Sequence, residues 1–208
     1  MVVNNMAQRG ISNQNVRRMI RESRVNLPGL VATQWYPLYD YQSKTAAATA
    51  EQIFFQSPAG QGGKTINDTN MLLAGQIPKG QVFQITGVQV ELYPDLDVDA
   101  AAATQFADDV YKFYKTGNLQ LTIGSKDYIR HGNLLSFAPV NRFDGFAATT
   151  AAGHAISYLS AAGREFTVEK LLIESSQNFA VTLRDMPALT TTARLGVRLQ
   201  GFLGRNAQ

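Results

Sequence analysis

The stretch SPAGQGGKT, residues 57–65, contains the residues that most directly suggest chemistry. A phosphate-binding loop has the pattern G-x-x-x-x-G-K-[ST], in which backbone N–H groups surround the phosphates and the lysine approaches the terminal ones. Residues 63–65 match the end of this pattern, but Pro58 replaces the first glycine and has no N–H to donate. Gly75 and Pro78 then interrupt the segment where a long helix should receive the phosphates. We therefore predict a flexible glycine-rich loop in preference to a nucleotide site.

Histidine is the next candidate, and the chain contains two, His131 and His154. A zinc site brings several ligands to one place, and no H-x-H or H-x-x-x-H spacing supports one here. A catalytic histidine needs a serine or carboxylate partner, which the sequence does not reveal. The chain also lacks cysteine, which excludes thiolate metal sites, disulfides and a cysteine nucleophile. We predict that the protein is not an enzyme and that it holds no cofactor or metal ion.

Two groups of carboxylates lie in and before an alanine-rich stretch. Asp95, Asp97 and Asp99 alternate as in a calcium-binding loop, but the glycine and the final glutamate of that loop are missing. Asp108 and Asp109 follow within the stretch. Carboxylates favour the positive end of a helix dipole, so helix capping explains Asp95, Asp97 and Asp99 more simply than calcium binding.

Aromatic residues concentrate in WYPLYDY, residues 35–41. Stacking on sugars or bases is one use of such a cluster. Packing in the core or at subunit contacts is the other, because tyrosine and tryptophan are enriched in interfaces, and we favour it. The candidates for either role are Trp35, Tyr36, Tyr39 and Tyr41.

The N-terminal segment, residues 1–29, forms a basic arm that carries more than the whole net charge of +3. Val16, Met19 and Ile20 recur at helical spacing and predict a short amphipathic helix. Its apolar face lacks the tryptophan, phenylalanine or leucine of a membrane-surface helix, so nucleic acid or a neighbouring subunit is the expected partner. A solvated, disordered arm is the alternative. The contact residues would be Arg9, Arg17, Arg18, Arg21 and Arg24.

The body, residues 30–208, is predicted to consist mainly of β-strands. In residues 82–93 the alternation of apolar side chains slips by one position at Gly87, which predicts a β-bulge. Alternating or short apolar segments bounded by turn residues predict strands at 30–41, 51–57, 82–93, 118–129, 155–160, 165–175, 178–185 and 193–203.

One predicted helix, at about residues 99–116, interrupts these strands. Phe106, Val110 and Phe113 lie on one face of it and are expected to pack on a sheet. The small-residue tract 147–155 is interpreted as a loop. Because strands do not alternate with helices, a sandwich, a jelly roll or a barrel is favoured over a parallel α/β sheet.

The composition limits the class of protein. Hydrophobic residues make up 45 % and aromatic residues 10 %, enough for a core, whereas charged residues make up only 17 %. A surface that is poor in charge is often covered by a partner. No run approaches the ~18–20 apolar residues of a membrane span, and no secretory signal is present, so we expect a soluble protein made in the cytoplasm.

The whole pattern resembles the single jelly-roll coat proteins of small icosahedral viruses and bacteriophages. The resemblance is architectural and covers most of the chain. It implies an all-β fold, a jelly roll or two-sheet antiparallel β-sandwich with one inserted helix. It implies a capsid subunit in the virion, made in the host cytoplasm, which self-assembles with copies of itself and contacts other capsid proteins. The segments that carry it are NVRRMIRESR (15–24), VFQITGVQVELY (82–93), DAAAATQFADDVYKFYK (99–115) and ARLGVRLQGFLGRN (193–206).

In that family the N-terminal arm faces the particle interior and contacts packaged nucleic acid or neighbouring subunits. Two alternatives stay open. One is a phage minor capsid or decoration protein. The other is a β-sandwich module for carbohydrate binding or adhesion that uses Trp35 and the nearby tyrosines.

Overall fold

The computed structural model describes residues 31–94, 103–138, 144–150, 153–159 and 166–206. The predicted basic arm, residues 1–29, lies outside these ranges. The arm arginines Arg9, Arg17, Arg18, Arg21 and Arg24 and the carboxylates Asp95, Asp97 and Asp99 therefore lie outside the described residues as well.

Eleven strands, one α-helix and one 3-10 turn make up the regular structure of the described residues. Their bounds are β1 Val31–Trp35, β2 Leu38–Lys44, β3 Gln52–Phe54, β4 Gln81–Pro94, α1 Ala103–Thr116, β5 Asn118–Ile123, β6 Lys126–Gly132, the 3-10 turn Leu134–Phe137, β7 Asp144–Thr150, β8 Gly153–Leu159, β9 Phe166–Ile173, β10 Phe179–Arg184 and β11 Ala193–Asn206.

The strands form two main antiparallel sheets and a separate hairpin. In the first sheet, β1 and β2 pair with successive halves of β11, β11 pairs with β4, and β4 pairs with β9. The second sheet has the order β3-β10-β5-β6, and β7 pairs with β8. The prediction of a mostly β chain with antiparallel sheets and one helix inserted between strands is confirmed.

The two sheets pack face to face around one hydrophobic core, in a β-sandwich-like arrangement. Leu119, Leu121 and Ile123 alternate with polar residues along β5 and point inward. Phe83 and Ile85 enter the same core from β4 in the other sheet. Burying each such side chain stabilises the fold by roughly 1.5–3 kcal/mol. Because a shift of one residue would expose all of them, the alternation along each strand fixes which face of the sheet points inward.

A β-bulge lies where the sequence predicted one. The register of β4 against β11 slips between Ile85 and Gly87, which leaves Thr86 as the extra residue. On β11 the slip falls at Gly201, where a Cβ atom would stand 2.1 Å from the carbonyl oxygen of Gln84. The two backbones approach so closely that a glycine is required at position 201.

The helix packs as predicted where its side chains are described. Val110 and Phe113 are buried in the core, and Gly117 follows the last helical residue. The side chain of Phe106 and the residues just before Ala103 lie outside the described part of the chain. No helix within the described ranges is long and apolar enough to cross a membrane.

The interpretation of residues 147–155 as a loop is wrong. This tract provides the end of β7 and the start of β8, with Thr149 paired to His154 and Ala148 paired to Ala155. Backbone hydrogen bonds hold an antiparallel pair together whatever the side chains are. A search for alternating hydrophobic residues therefore finds most of β8, predicted at 155–160, but misses β7 and the first residues of β8.

Candidate interaction surface on the first sheet

The outward face of the first sheet gathers tyrosine, arginine and glutamate side chains from three strands. Tyr41 on β2 and Glu91 on β4 both lie opposite Gly196 of β11, one on each side. Tyr93 of β4 lies opposite Arg194 of β11. Their neighbours along the strands point into the core, so these side chains point away from it. We name as the tyrosine–arginine face the residues Tyr41, Glu91, Tyr93, Arg194 and Arg198.

Hydrogen bonds link the members of this face into one network. The hydroxyl of Tyr41 donates to Glu91 Oε2 at 2.6 Å, and the hydroxyl of Tyr93 donates to the same oxygen at 3.1 Å. Arg198 Nη2 donates to the Tyr41 hydroxyl at 3.1 Å, and Arg198 Nε lies 3.6 Å from Glu91 Oε1. The carboxylate of Glu91 is therefore the centre of the network, and it ties β2, β4 and β11 together.

The electrostatics of the network keep both phenols protonated. Burial, and then the neighbouring Glu91 carboxylate, raise the pKa of Tyr41 above its ordinary value. The same two causes raise the pKa of Tyr93. Burial acts to lower the pKa of Arg198, but Glu91 and the two tyrosines outweigh it and the pKa is raised. At neutral pH the two phenols therefore remain hydrogen-bond donors and the guanidinium remains charged.

The ring of Tyr41 contacts both a backbone and a guanidinium. A Cβ atom at Gly196 would come within 2.2 Å of the ring. The guanidinium carbon of Arg194 lies 4.5 Å from the ring centroid. Arg194 Nη2 also donates to the Asn67 carbonyl at 2.6 Å and to Asp68 Oδ1 at 3.1 Å. The exposed surface is therefore held in one arrangement before any partner arrives.

The predicted aromatic cluster divides between this face and the core. Trp35 is 53 % exposed and meets Phe202 edge to face, with ring centroids 5.4 Å apart. Tyr36 packs against the hydrophobic core. Tyr39 and Tyr41 share the outward face, with ring centroids 6.0 Å apart. Surface contact is therefore a possible role for three of the four aromatics, and core packing accounts for the fourth.

The glycine-rich stretch is a loop, as predicted, and its lysine contacts a carboxylate of the same chain. The ammonium of Lys64, whose side chain is 15 % exposed, pairs with Asp40, whose carboxylate is fully buried. The Gly60 N–H donates to the Lys64 carbonyl at 2.8 Å, and the Ala59 N–H donates to the Met71 carbonyl at 3.1 Å. These contacts give the loop a defined shape and occupy the group that a nucleotide site would use.

The two histidines lie on strands of different sheets. His131 lies on β6, and its ring meets the rings of Phe137 and Phe166 at 5.5 and 5.8 Å. His154 lies on β8 of the separate hairpin, and its side chain is outside the described set. Among the side chains that the structure describes, no group of three or more histidines and carboxylates is arranged to hold a metal ion.

Asp109 has a structural role that the sequence did not predict. This residue lies inside α1 and is buried, where Oδ2 accepts hydrogen bonds from the Thr190 N–H at 2.9 Å, the Thr190 hydroxyl at 2.6 Å and the Thr191 N–H at 3.3 Å. Burial lowers the pKa of nearby Lys44, and the charge of Asp109 opposes that shift. The carboxylate thus ties the helix to the connection between β10 and β11. The side chain of Asp108 is not among those described.

Sequence reasoning missed Glu91, Arg194 and Arg198. A signal for them was present, because each is a charged residue in a strand whose alternate positions are apolar, as Val90 and Leu92 are on either side of Glu91. Such positions point to the outward face and mark where a sheet carries specific polar contacts.

Comparison of the chain with protein-family models, with curated proteins and with solved structures found no match in any of the three. Its role has to follow from strand pairing and from the described surface.

Proposed function

We propose that this chain is a capsid subunit, a structural virion protein with a jelly-roll body that self-assembles into an icosahedral shell. The observation that carries the proposal is the pairing of strands. With β1 and β2 taken as one segment and the β7–β8 hairpin set aside, the described residues form eight strands. The first pairs with the last, β3 with β10, β4 with β9, and β5 with β6. A long antiparallel hairpin rolled up on itself gives this order, and it supports a jelly roll with two Greek keys.

The insertions support the same proposal, because they enlarge one end of the fold and leave the sheets intact. The helix α1 lies between β4 and β5, and the β7–β8 hairpin lies between β6 and β9. The helix contacts the hairpin, and its Asp109 binds Thr190 in the connection between β10 and β11. The Ala47 N–H donates to the Leu189 carbonyl at 2.9 Å at the same end. The inserted helix thus adds Val110 and Phe113 to the core without interrupting the pairing of the strands.

The step from fold to role is an analogy at the level of the fold, since jelly rolls also build lectin domains and cupins. The tyrosine–arginine face favours a protein partner. Tyrosine, tryptophan and arginine dominate the binding energy of protein interfaces. A network that is already ordered lowers the entropy lost on association. The proposed partners are copies of the chain, other capsid proteins, and, through the arm arginines, packaged nucleic acid or neighbouring subunits.

Electron microscopy and light scattering of the full chain over a range of salt and pH test the proposal. We expect regular particles or capsomers. A chain that stays monomeric at high concentration under every condition contradicts it. The variant Tyr93→Ala is expected to weaken assembly because it removes a 49 % exposed ring from the tyrosine–arginine face. Tyr128→Ala, which removes a 50 % exposed ring from the second sheet, is the matched control.

Deletion of residues 1–24 tests the proposed role of the arm. If phosphate is its partner, the full chain binds nucleic acid with an affinity that falls steeply with salt, and the deletion abolishes this binding. If the full chain shows no salt-sensitive binding, the arm contacts neighbouring subunits instead. Assembly of the deleted chain, compared with the full chain, then measures that contact.

Carbohydrate binding is the second candidate function, and the exposed ring of Trp35 beside Phe202 favours it. An exposed aromatic face on a sheet is a common platform for stacking against an apolar sugar face. A glycan array on the full chain should then give binding that Trp35→Ala removes. An empty array rejects this function. Binding to preformed capsids without self-assembly would instead indicate a minor capsid or decoration protein.

A further inference from the structure

A short segment of the connection between β3 and β4 lies along the outer edge of β2. An isolated antiparallel bridge pairs Asp40 of β2 with Thr69. The Tyr41 N–H donates to the Asp68 carbonyl at 2.7 Å, and the Tyr39 N–H donates to the side-chain oxygen of Asn70 at 3.0 Å. We name this segment, residues 65–70, the strap. It occupies the edge that β2 presents on the side opposite β11.

The strap and one further side chain satisfy polar groups along the edge at every second residue. Asn70 Nδ2 donates to the Pro37 carbonyl at 2.8 Å, and Gln52 Nε2 donates to the Ser43 carbonyl at 3.0 Å. Together with the two N–H groups of Tyr39 and Tyr41, these are the positions at which a neighbouring strand would bond. The side chains of Asn70 and Gln52 and the Asp68 carbonyl therefore make the hydrogen bonds that a neighbouring strand would make. An uncovered edge of this length is a template for pairing with another chain.

Two carboxylates hold the strap in place. Asp40 is fully buried, and its Oδ1 pairs with the ammonium of Lys64, which immediately precedes the strap. Asp68 Oδ2 accepts hydrogen bonds from the Thr65 N–H at 2.9 Å and the Thr65 hydroxyl at 2.8 Å, and Asp68 Oδ1 accepts one from Arg194 at 3.1 Å. The pKa of Asp68 is lowered, first by the hydrogen bonds from Thr65. The anchors of the strap are thus ion pairs and hydrogen bonds.

The connection that carries the strap begins at a strained residue. Phe55 has a φ of 69°, which is unfavourable for a bulky side chain, and its ring is fully buried. Its N–H donates to Asp40 Oδ2 at 2.6 Å, so the carboxylate that binds Lys64 also holds Phe55 in this conformation. One buried carboxylate therefore fixes both the start of this connection and the lysine that precedes the strap.

We propose that the strap is a removable cover over a latent strand-pairing edge, and that a second copy of this chain pairs with the edge when the strap lifts. An antiparallel edge presents donors and acceptors in alternation, so two identical edges related by a two-fold axis satisfy each other. The edge of β2 spans seven residues, Leu38–Lys44, which is a usual strand length. The device belongs to the isolated chain and does not depend on shell formation.

The variant Lys64→Met tests the anchor, because it keeps the length of the stem and removes the charge. The control is Lys79→Met, an exposed lysine of the same connection. Hydrogen exchange is measured below the concentration at which particles form. The exchange rates of the Tyr39 and Tyr41 amides are compared with that of the Val197 amide in the central strand. We expect the first two to exchange on the order of tenfold faster in Lys64→Met, the equivalent of about one net hydrogen bond, and to be unchanged in the control.

Light scattering at rising concentration tests whether a second copy of the chain pairs with the edge of β2. We expect Lys64→Met to form dimers and Lys79→Met to keep the oligomeric state of the natural chain. Unchanged exchange at Tyr39 and Tyr41 overturns the role of the anchor. Faster exchange without dimers overturns the second copy as the occupant. If Lys64→Met does not fold, Asn70→Ala removes the contacts to Tyr39 and Pro37 without touching the buried pair, and the same outcomes apply. Failure of the full chain to form a shell would leave these results unaffected.

Discussion

The ring of Tyr41 lies so close to the backbone of Gly196 that a Cβ atom at position 196 would stand 2.2 Å from Tyr41 Cε1. This contact lets the Tyr41 hydroxyl reach across β11 to the Glu91 carboxylate on the next strand. The tyrosine–arginine face therefore depends on a residue that has no side chain.

The first prediction follows from this contact. Gly196→Ala should push Tyr41 away from Glu91 and lower the free energy of unfolding by about 1–2 kcal/mol, within the range of overpacking substitutions. Chemical denaturation measures the loss. Gly132→Ala is the control, because nothing lies within 4 Å of its Cβ position. Equal free energies of unfolding for the two variants would show that the ring of Tyr41 moves aside without any loss of stability.

A larger effect is expected at the bulge. In Gly201→Ala the new Cβ atom would stand 2.1 Å from the carbonyl oxygen of Gln84, which is backbone and cannot swing aside as a side chain does. We expect a loss of about 3 kcal/mol or failure to fold, measured by the same denaturation experiment. A variant with the stability of Gly132→Ala would contradict the close approach of β11 and β4.

The buried carboxylate of α1 gives the third prediction. Asp109→Ala removes the acceptor for the Thr190 and Thr191 N–H groups and for the Thr190 hydroxyl. We expect the free energy of unfolding to fall by about 1–3 kcal/mol, the cost of leaving buried hydrogen-bonding groups without a partner. Glu169→Ala, at an exposed position on β9, should change it by less than about 0.5 kcal/mol. A similar change in the free energy of unfolding for both variants would show that the hydrogen bonds of Asp109 do not stabilise the fold.

The raised pKa of Tyr93 predicts a loss of stability in alkali. Burial and Glu91 raise the pKa of the folded protein above the ordinary value of 10.0, so folding favours the protonated phenol. Its contribution is complete below the unfolded pKa and is lost as the pH rises through the folded pKa. Stability measured between about pH 9 and 12 should therefore fall less steeply in Tyr93→Phe than in the natural chain. Tyr111→Phe, at an exposed position on α1, should follow the natural chain, and parallel curves for all three would contradict the prediction.

Some of this architecture was readable from local sequence. The slip of apolar positions at Gly87 predicted the bulge, because a period of two residues is visible in one strand alone. Val110 and Phe113 were placed in the core for the same reason, since helical spacing also belongs to a single element. Local periodicity therefore predicts which face of an element is buried.

Partners distant in the chain could not be predicted in this way. Lys64 resembled part of a phosphate loop because its carboxylate partner, Asp40, lies on another element. The buried hydrogen bonds of Asp109 were not predicted, because Thr190 and Thr191 come from a distant part of the sequence. Strand β7 was missed because its backbone pairing with β8 follows no alternation of apolar side chains. For polar residues such as Lys64 and Asp109, tertiary contacts decide the role.

The pairing of the first strand with the last also has a consequence for synthesis. Val31 pairs with Asn206, and β11 is the inner strand that holds β1, β2 and β4 in one sheet. On the ribosome the N-terminal strands must therefore wait, unpaired, until almost the entire body has emerged. Such a high contact order makes folding slow, and the waiting strands are exposed to aggregation. Removal of β11 by early termination should leave β1 and β2 without a partner and keep only the pairing of β4 with β9 in this sheet.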